Sequence, residues 1–197
     1  MTSSRHGRGT GRQIVAELSA LDRALYEAVA TAETPTLDRF FRRLSTVANN
    51  SVLWLGLAGM IAVVGGRAGR WAALNGVASI GLASATANLV GKQVTHRRRP
   101  DRAGAGVRDE RQVPMPESTS FPSGHTASAF AFAEGVSSVL PALGLPLRLA
   151  AVAVGYSRVH VGVHYPGDVA AGALIGRSAG EVAPMLLRLA CDIVRRS

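Results

Sequence analysis

From Leu44 to Gly66, and again from Trp71 to Gly91, the chain carries no charged residue. Each run is long enough to cross a hydrocarbon core of about 30 Å, which takes roughly 20 helical residues. Both are rich in Gly, Ala, Ser and Asn, a composition that suits close helix packing in lipid. A short basic link, Arg67-Ala68-Gly69-Arg70, joins them. Further on, Thr126–Leu145 is mostly apolar, interrupted by Glu134 and broken by Pro141, and Leu147–Ser157 follows as a shorter run. A last helix is predicted from Pro166 to Leu189, with Arg177 and Glu181 spaced to pair on one face. The pattern predicts an all-α, polytopic transmembrane helical bundle of about five spans.

The polar segments frame this bundle. Residues 1–13 are Ser-, Arg- and Gly-rich and are expected to be disordered. Residues 14–35 form an amphipathic or interfacial helix, because Ile14, Leu18, Leu21, Leu25 and Val29 recur at three-to-four spacing. A second helix starts near Thr36, after Thr34-Pro35, and carries Asp38, Arg39, Arg42 and Arg43 into the first crossing, as a surface-lying helix would. The division is 1–13 tail, 14–35 interfacial helix, 36–190 transmembrane domain and 191–197 C-terminal tail.

Charge narrows the partners. The chain has 22 Lys+Arg against 13 Asp+Glu, a formal net charge of +9. Such an excess suits nucleic acid, a membrane surface or an anionic substrate. Nucleic acid is excluded, because the cations sit between apolar runs, aromatics are few, and no helix-turn-helix, zinc-finger or RNP pattern occurs. The single cysteine, Cys191, permits no internal disulfide and no Cys-based zinc site. Asp101, Asp109 and Glu110 are not arranged as an evident ligand set, so neither metal nor other cofactor is expected.

Three polar clusters remain. The first, Lys92 to Arg99-Pro100, reads by itself as interfacial anchoring. The second, Ser120-Phe-Pro-Ser-Gly-His-Thr126, precedes an apolar helix. Ser123 is a suitable N-cap, and the amides of Gly124, His125 and Thr126 would offer an anion site. The third, Ser157-Arg158 through His160 and His164 to Asp168, gathers ionisable groups between apolar helices, where they need a cavity or a partner. Together they supply what phosphoryl transfer needs. Lys92, Arg99 and Arg158 can neutralise phosphate oxygens, amides near Ser123 and Gly124 add donors, one histidine can attack and another can protonate the leaving oxygen.

These segments resemble the type 2 phosphatidic acid phosphatase (PAP2) superfamily, marked by K-x6-R-P, P-S-G-H and S-R-x5-H-x3-D. Here the motifs read Lys92…Arg99-Pro100, Pro122-Ser123-Gly124-His125 and Ser157-Arg158…His164…Asp168, in that order. The wording around them, Ala48-Asn49-Asn50-Ser51 and Ser118 to His125, is similar to actinobacterial members. The resemblance implies a helical bundle with its site at one membrane face, outside the cytoplasm. It makes His164 the nucleophile that forms a phosphohistidine, Asp168 its orienting carboxylate and His125 the general acid. Lys92, Arg99, Ser123, Gly124 and Arg158 would hold the phosphate. Arg97 and Arg98 read as interfacial charges, and His96 and His160 receive no role.

The implied substrate is a lipid phosphate in a plasma-membrane bilayer: a polyprenyl phosphate or pyrophosphate, phosphatidate or phosphatidylglycerol phosphate. The actinobacterial flavour favours an isoprenoid carrier. A vanadium-haloperoxidase-like enzyme and a non-catalytic lipid-binding scaffold are the alternatives; the two uncharged runs oppose the first, and the paired histidines with Asp168 oppose the second. Homo-oligomerisation is left open.

Overall fold

A computed structural model describes residues 6–91, 93 and 96–196. Lys92 lies outside the described residues. The described chain is helical: α1 (His6–Thr31), α2 (Pro35–Val47), α3 (Val52–Val64), α4 (Gly66–Thr86), α5 (Gly124–Ser137), α6 (Gly144–His160) and α7 (Pro166–Arg196). A π-helical turn, Ala87–Gly91, extends α4, and the segment 96–123 runs without a long helix to the start of α5.

The core is built around α5, whose small residues Ala127, Ala129, Ala131 and Ala133 are fully buried with Phe132 and Val136. Helices α4, α6 and α7 surround it. The α5–α7 contact depends on glycine. A Cβ on Gly176 would lie 2.3 Å from the Ala127 carbonyl oxygen, so only a bare backbone allows the two axes so close. Trp54 of α3 closes the core against Phe132, with ring centroids 5.4 Å apart.

The first uncharged run folds differently from the expected single span. Helix α2 ends at Val47, the chain turns through Asn49–Ser51, and α3 leaves at 63°. The break is local: Asn50 (φ 51°) and Ser51 (φ 59°) are both left-handed, a conformation that cannot continue a right-handed helix. Among the described residues no single helix is long and apolar enough to cross a membrane; only the bent pair formed by residues 35–47 and 49–64 meets that measure.

Three further expectations are corrected. Helix α1 starts at His6, inside the segment read as disordered, because propagation from the helix already formed by Ile14–Thr31 adds a hydrogen bond per residue. Helix α7 continues to Arg196, so the segment read as a tail is helical. Arg177 does not pair with Glu181. Its Nε lies 3.9 Å from Glu134, a largely buried carboxylate held bidentately by Arg148 at 2.9 and 2.6 Å.

Helix α1 lies on the bundle through Asp22, Tyr26, Val29 and Ala30, while its charged residues Arg12, Glu17, Arg23 and Glu27 are exposed. Tyr26 and Ala30 are buried, and Tyr26 meets Tyr165 edge-on at 5.4 Å. Most of the apolar stripe points away, with Ile14 50%, Leu18 61% and Leu21 57% exposed, whereas Val29 packs inward beside Tyr26 and Ala30. Buried Arg111 fixes the end of α1, donating to the carbonyls of Val29 (2.9 Å), Ala30 (3.1 Å) and Ala32. Its Nε also sits 2.8 Å from Asp38 Oδ1, and Asp38 is paired in addition with Arg108 and with His160 at 2.9 Å. The role-less His160 is thus part of a buried structural cluster.

Candidate active site

The three polar segments meet at one end of the bundle. Segment 96–123 carries Arg99, the start of α5 carries Ser123, Gly124 and His125, the end of α6 carries Arg158, and the α6–α7 turn carries His164. Arg99, Gly124, His125, Arg158 and His164 line one cavity of about 300 Å³.

The α6–α7 turn is set by Gly162, whose φ of +75° favours glycine. The turn folds back so that the Arg158 carbonyl accepts from the amides of Val163 (3.1 Å) and His164 (3.2 Å). Pro166 then opens α7 and puts Asp168 in its first turn. Asp168 is fully buried and its carboxylate is well supplied with donors. Ser120 Oγ donates to Oδ2, the Tyr165 amide donates to Oδ2 at 2.9 Å, and Arg97 Nη1 donates to Oδ1 at 3.0 Å.

His164 is buried between this carboxylate and the cations. Its Nδ1 lies 3.5 Å from Asp168 Oδ2, in contact but outside hydrogen-bond geometry. Its Nε2 lies 3.3 Å from Arg99 Nη1. A guanidinium can only donate, so Nε2 is the accepting nitrogen and the imidazole proton is assigned to Nδ1, toward Asp168. Burial pushes the His164 pKa below the ordinary imidazole value. Asp168 opposes the shift, while Arg99 and Arg158 reinforce it. The ring is therefore a neutral imidazole at neutral pH, with an unprotonated nitrogen beside a cation.

The cations are held in place rather than left to swing. Arg99 donates to the carbonyls of Ser118 (2.9 Å) and Val163 (2.8 Å). Arg158, 2% exposed, donates to Ser45 Oγ on α2. Ser123 occupies the N-cap position of α5, but its hydroxyl accepts from Thr126 Oγ1 at 2.9 Å and no side chain caps the helix. Gly124 has open space where a Cβ would stand, so an anion can approach that helix start closely.

Four contributors had no signal in the spacing. Arg97, read as an interfacial charge, is instead an internal bridge: it holds Asp168, pairs with Asp22 of α1 at 2.6 Å, and lies 4.1 Å over the Tyr165 ring. Asp22 also accepts from the Gly167 amide at 2.7 Å. Ser120 backs Asp168, and Asn49 Oδ1 lies 2.8 Å from His125 Nε2. Among the described residues no group of three His, Cys, Asp or Glu side chains gathers as a metal cluster.

The chain is similar to known proteins in sequence and in fold. Decaprenylphosphoryl-5-phosphoribose phosphatase of Mycobacterium tuberculosis is 34% identical over 154 residues, covering 78% of this chain and 82% of that protein. The crystal structure of Aquifex aeolicus LpxE matches with a TM-score of 0.66 and 29% identity, over 83% of this chain and 94% of that one. A phosphatidylglycerolphosphate phosphatase of PAP2 type from Bacillus subtilis has the same fold, with a TM-score of 0.69 at 23% identity over 87% of each chain. The model of the PAP2 superfamily matches residues 72–186, which contain every segment of the cavity except the α2–α3 turn, and the chain belongs to that superfamily.

Proposed function

We propose that this chain is a membrane-seated lipid phosphatase that hydrolyses a lipid phosphomonoester or pyrophosphate through a phosphohistidine on His164. One observation carries the reading: His164 turns an unprotonated Nε2 toward Arg99 in the cavity, while Asp168 backs its Nδ1. In this account Nε2 attacks phosphorus and Asp168 stabilises the imidazolium that forms. Arg99, Arg158, Lys92 and the amides of Gly124 and His125 hold the non-bridging oxygens, where positioning and charge supply most of the catalysis, while the Ser123 amide is taken by the Asp168 carbonyl at 3.0 Å. His125 donates Nε2–H to Asn49 Oδ1, and burial, with Arg158, His164 and Arg99 beside it, pushes its pKa down to about 3; it protonates the departing lipid oxygen once the substrate's phosphate dianion offsets those cations and the ring takes up a second proton. Water then attacks the phosphohistidine and releases phosphate.

The outward stripe of α1 supports a seat at the bilayer interface, since its apolar side chains turn away from the protein while Asp22 and Tyr26 dock on it. The mycobacterial relative, named for a decaprenylphosphoryl substrate, supports an isoprenoid-linked lipid. The family resemblance supports a site that faces out of the cytoplasm. Phosphate release by the purified protein in detergent, with phosphatidate, phosphatidylglycerol phosphate, a polyprenyl phosphate and a polyprenyl pyrophosphate in turn, tests the reading. Release from at least one supports it; release from none, at protein concentrations that fold, overturns it.

A further inference from the structure

Away from the catalytic cavity, the start of α4 and the end of α7 enclose an open basic cleft of about 950 Å³. Arg67 and Arg70 enter it from α4, Arg188 and Arg195 from α7, and Asp192 is the one carboxylate in its lining. The spacing puts each set on one helix face. Arg67 and Arg70 are three apart, and Arg188, Asp192 and Arg195 follow one another at four and three. None of the four arginines is in a salt bridge among the described residues. Their like charges face one cleft, which an anion would relieve.

The α3–α4 turn fixes this face. Gly66 is left-handed at φ 58°, and a Cβ on Gly69 would stand 2.2 Å from the Ile61 carbonyl oxygen, so glycine lets α4 fold back tightly on α3. Half-buried Trp71 also lines the cleft, next to Arg70. Exposed apolar side chains adjoin it in the chain, Val63 and Val64 at the end of α3 and Leu189 and Ile193 on α7. A free anion in water makes no use of these groups. A phospholipid uses both, with its phosphate on the guanidiniums and its acyl chains along the apolar flank, and tryptophan favours that boundary.

Position along α4 separates the cleft from the chemistry. Arg67 and Ser84 stand on the same helix, and Ser84 lines the cavity that holds His164. Their separation of 17 residues, at about 1.5 Å each, is about 25 Å, close to the roughly 30 Å of a hydrocarbon core. A lipid held at the cleft is out of reach of His164.

We infer that Arg67, Arg70, Arg188 and Arg195, with Trp71, bind the phosphodiester headgroup of an anionic glycerophospholipid in the leaflet opposite the active site. That lipid is a bound ligand of the bundle and not its substrate.

The test counts bound lipid by native mass spectrometry of the full chain released from a nonionic detergent. Dioleoylphosphatidylglycerol and dioleoylphosphatidylcholine are compared, since they share acyl chains and differ in charge. Wild type is expected to bind the anionic lipid about tenfold or more tightly, as several arginines at a lipid surface allow. The exposed pair Arg67→Gln and Arg70→Gln together, and Arg195→Gln alone, are expected to bring that ratio toward one. Arg99→Gln, in the catalytic cavity, is expected to leave it unchanged. Equal binding of the two lipids by wild type overturns the inference, as does a preference that survives in both cleft variants. A preference lost in Arg99→Gln but kept in the cleft variants places the lipid at the active site and contradicts it. Displacement of phosphatidylglycerol by inorganic phosphate at equal concentration makes the cleft a site for a free anion, which also contradicts it. The readout needs no turnover, so its outcome is independent of the phosphatase reading.

Discussion

Arg97 donates to Asp168 at 3.0 Å and so anchors the carboxylate that stands behind His164. The same guanidinium pairs with Asp22 at 2.6 Å, so the amphipathic α1 is tied to the site through one arginine. Asp22→Asn and Arg97→Gln are expected to lower kcat with little change in KM, because they disturb the alignment of His164 rather than phosphate binding. A misplaced catalytic group costs up to about 10²-fold. A rise in KM at constant kcat would assign Arg97 to the lipid headgroup instead.

Asn49 and His125 give a prediction that depends on the leaving group. A lipid alkoxide leaves badly without a proton, whereas nitrophenolate leaves well, and general acid catalysis is worth roughly 10²–10⁴-fold for the poor leaving group. His125→Ala is expected to lose far more activity on a lipid phosphomonoester than on p-nitrophenyl phosphate, read on the step that forms phosphoenzyme. Asn49→Leu, which removes the 2.8 Å contact, is expected to show the same split more weakly. Equal losses on both substrates would make His125 a phosphate ligand.

The His164 titration has a fixed sign. Burial disfavours the imidazolium, so its pKa lies below the ordinary value of about 6.5. The attacking neutral form therefore persists to more acidic pH than for an exposed histidine, and is lost only as pH falls through that lowered value. Asp168 pulls the other way, so Asp168→Asn is expected to lower the midpoint further. Imidazole NMR in detergent micelles, assigned with His164→Gln, checks both. A midpoint at or above 6.5 in wild type contradicts the burial of this ring.

Stability is expected to depend on Arg111, away from the cavity. Arg111→Met removes the donors to Val29, Ala30 and Ala32 and one partner of buried Asp38. Breaking a buried pair costs roughly 3–5 kcal/mol, and the lower end applies here because Arg108 and His160 remain beside Asp38. Thermal unfolding in detergent should show a clear drop in Tm.

What the sequence revealed, it revealed through short-range spacing. Pro166, His164 and Asp168 belong to one turn and one helix start, so four residues of separation suffice to bring imidazole and carboxylate together. The same holds for Ser123-Gly124-His125 at the start of α5. Relationships across long separations left no trace. Arg97 sits in a run of arginines that looks like interfacial charge, and only the fold brings Asp22 and Asp168 to it. Arg177 had a well-spaced partner in Glu181, yet the α5–α7 approach at Gly176 brings it to Glu134. The turn at Asn50-Ser51 was hidden because neither residue is the glycine or proline that ordinarily marks a break.

The central claim is that His164 carries the phosphoryl group. Brief reaction with a ³²P-labelled lipid phosphomonoester, a denaturing quench at alkaline pH and peptide mapping would test it directly. The account predicts an acid-labile, base-stable label on the peptide containing His164, absent from His164→Ala, which should also release no phosphate. Label on another residue, or a His164→Ala variant that keeps a tenth or more of wild-type turnover, would contradict it.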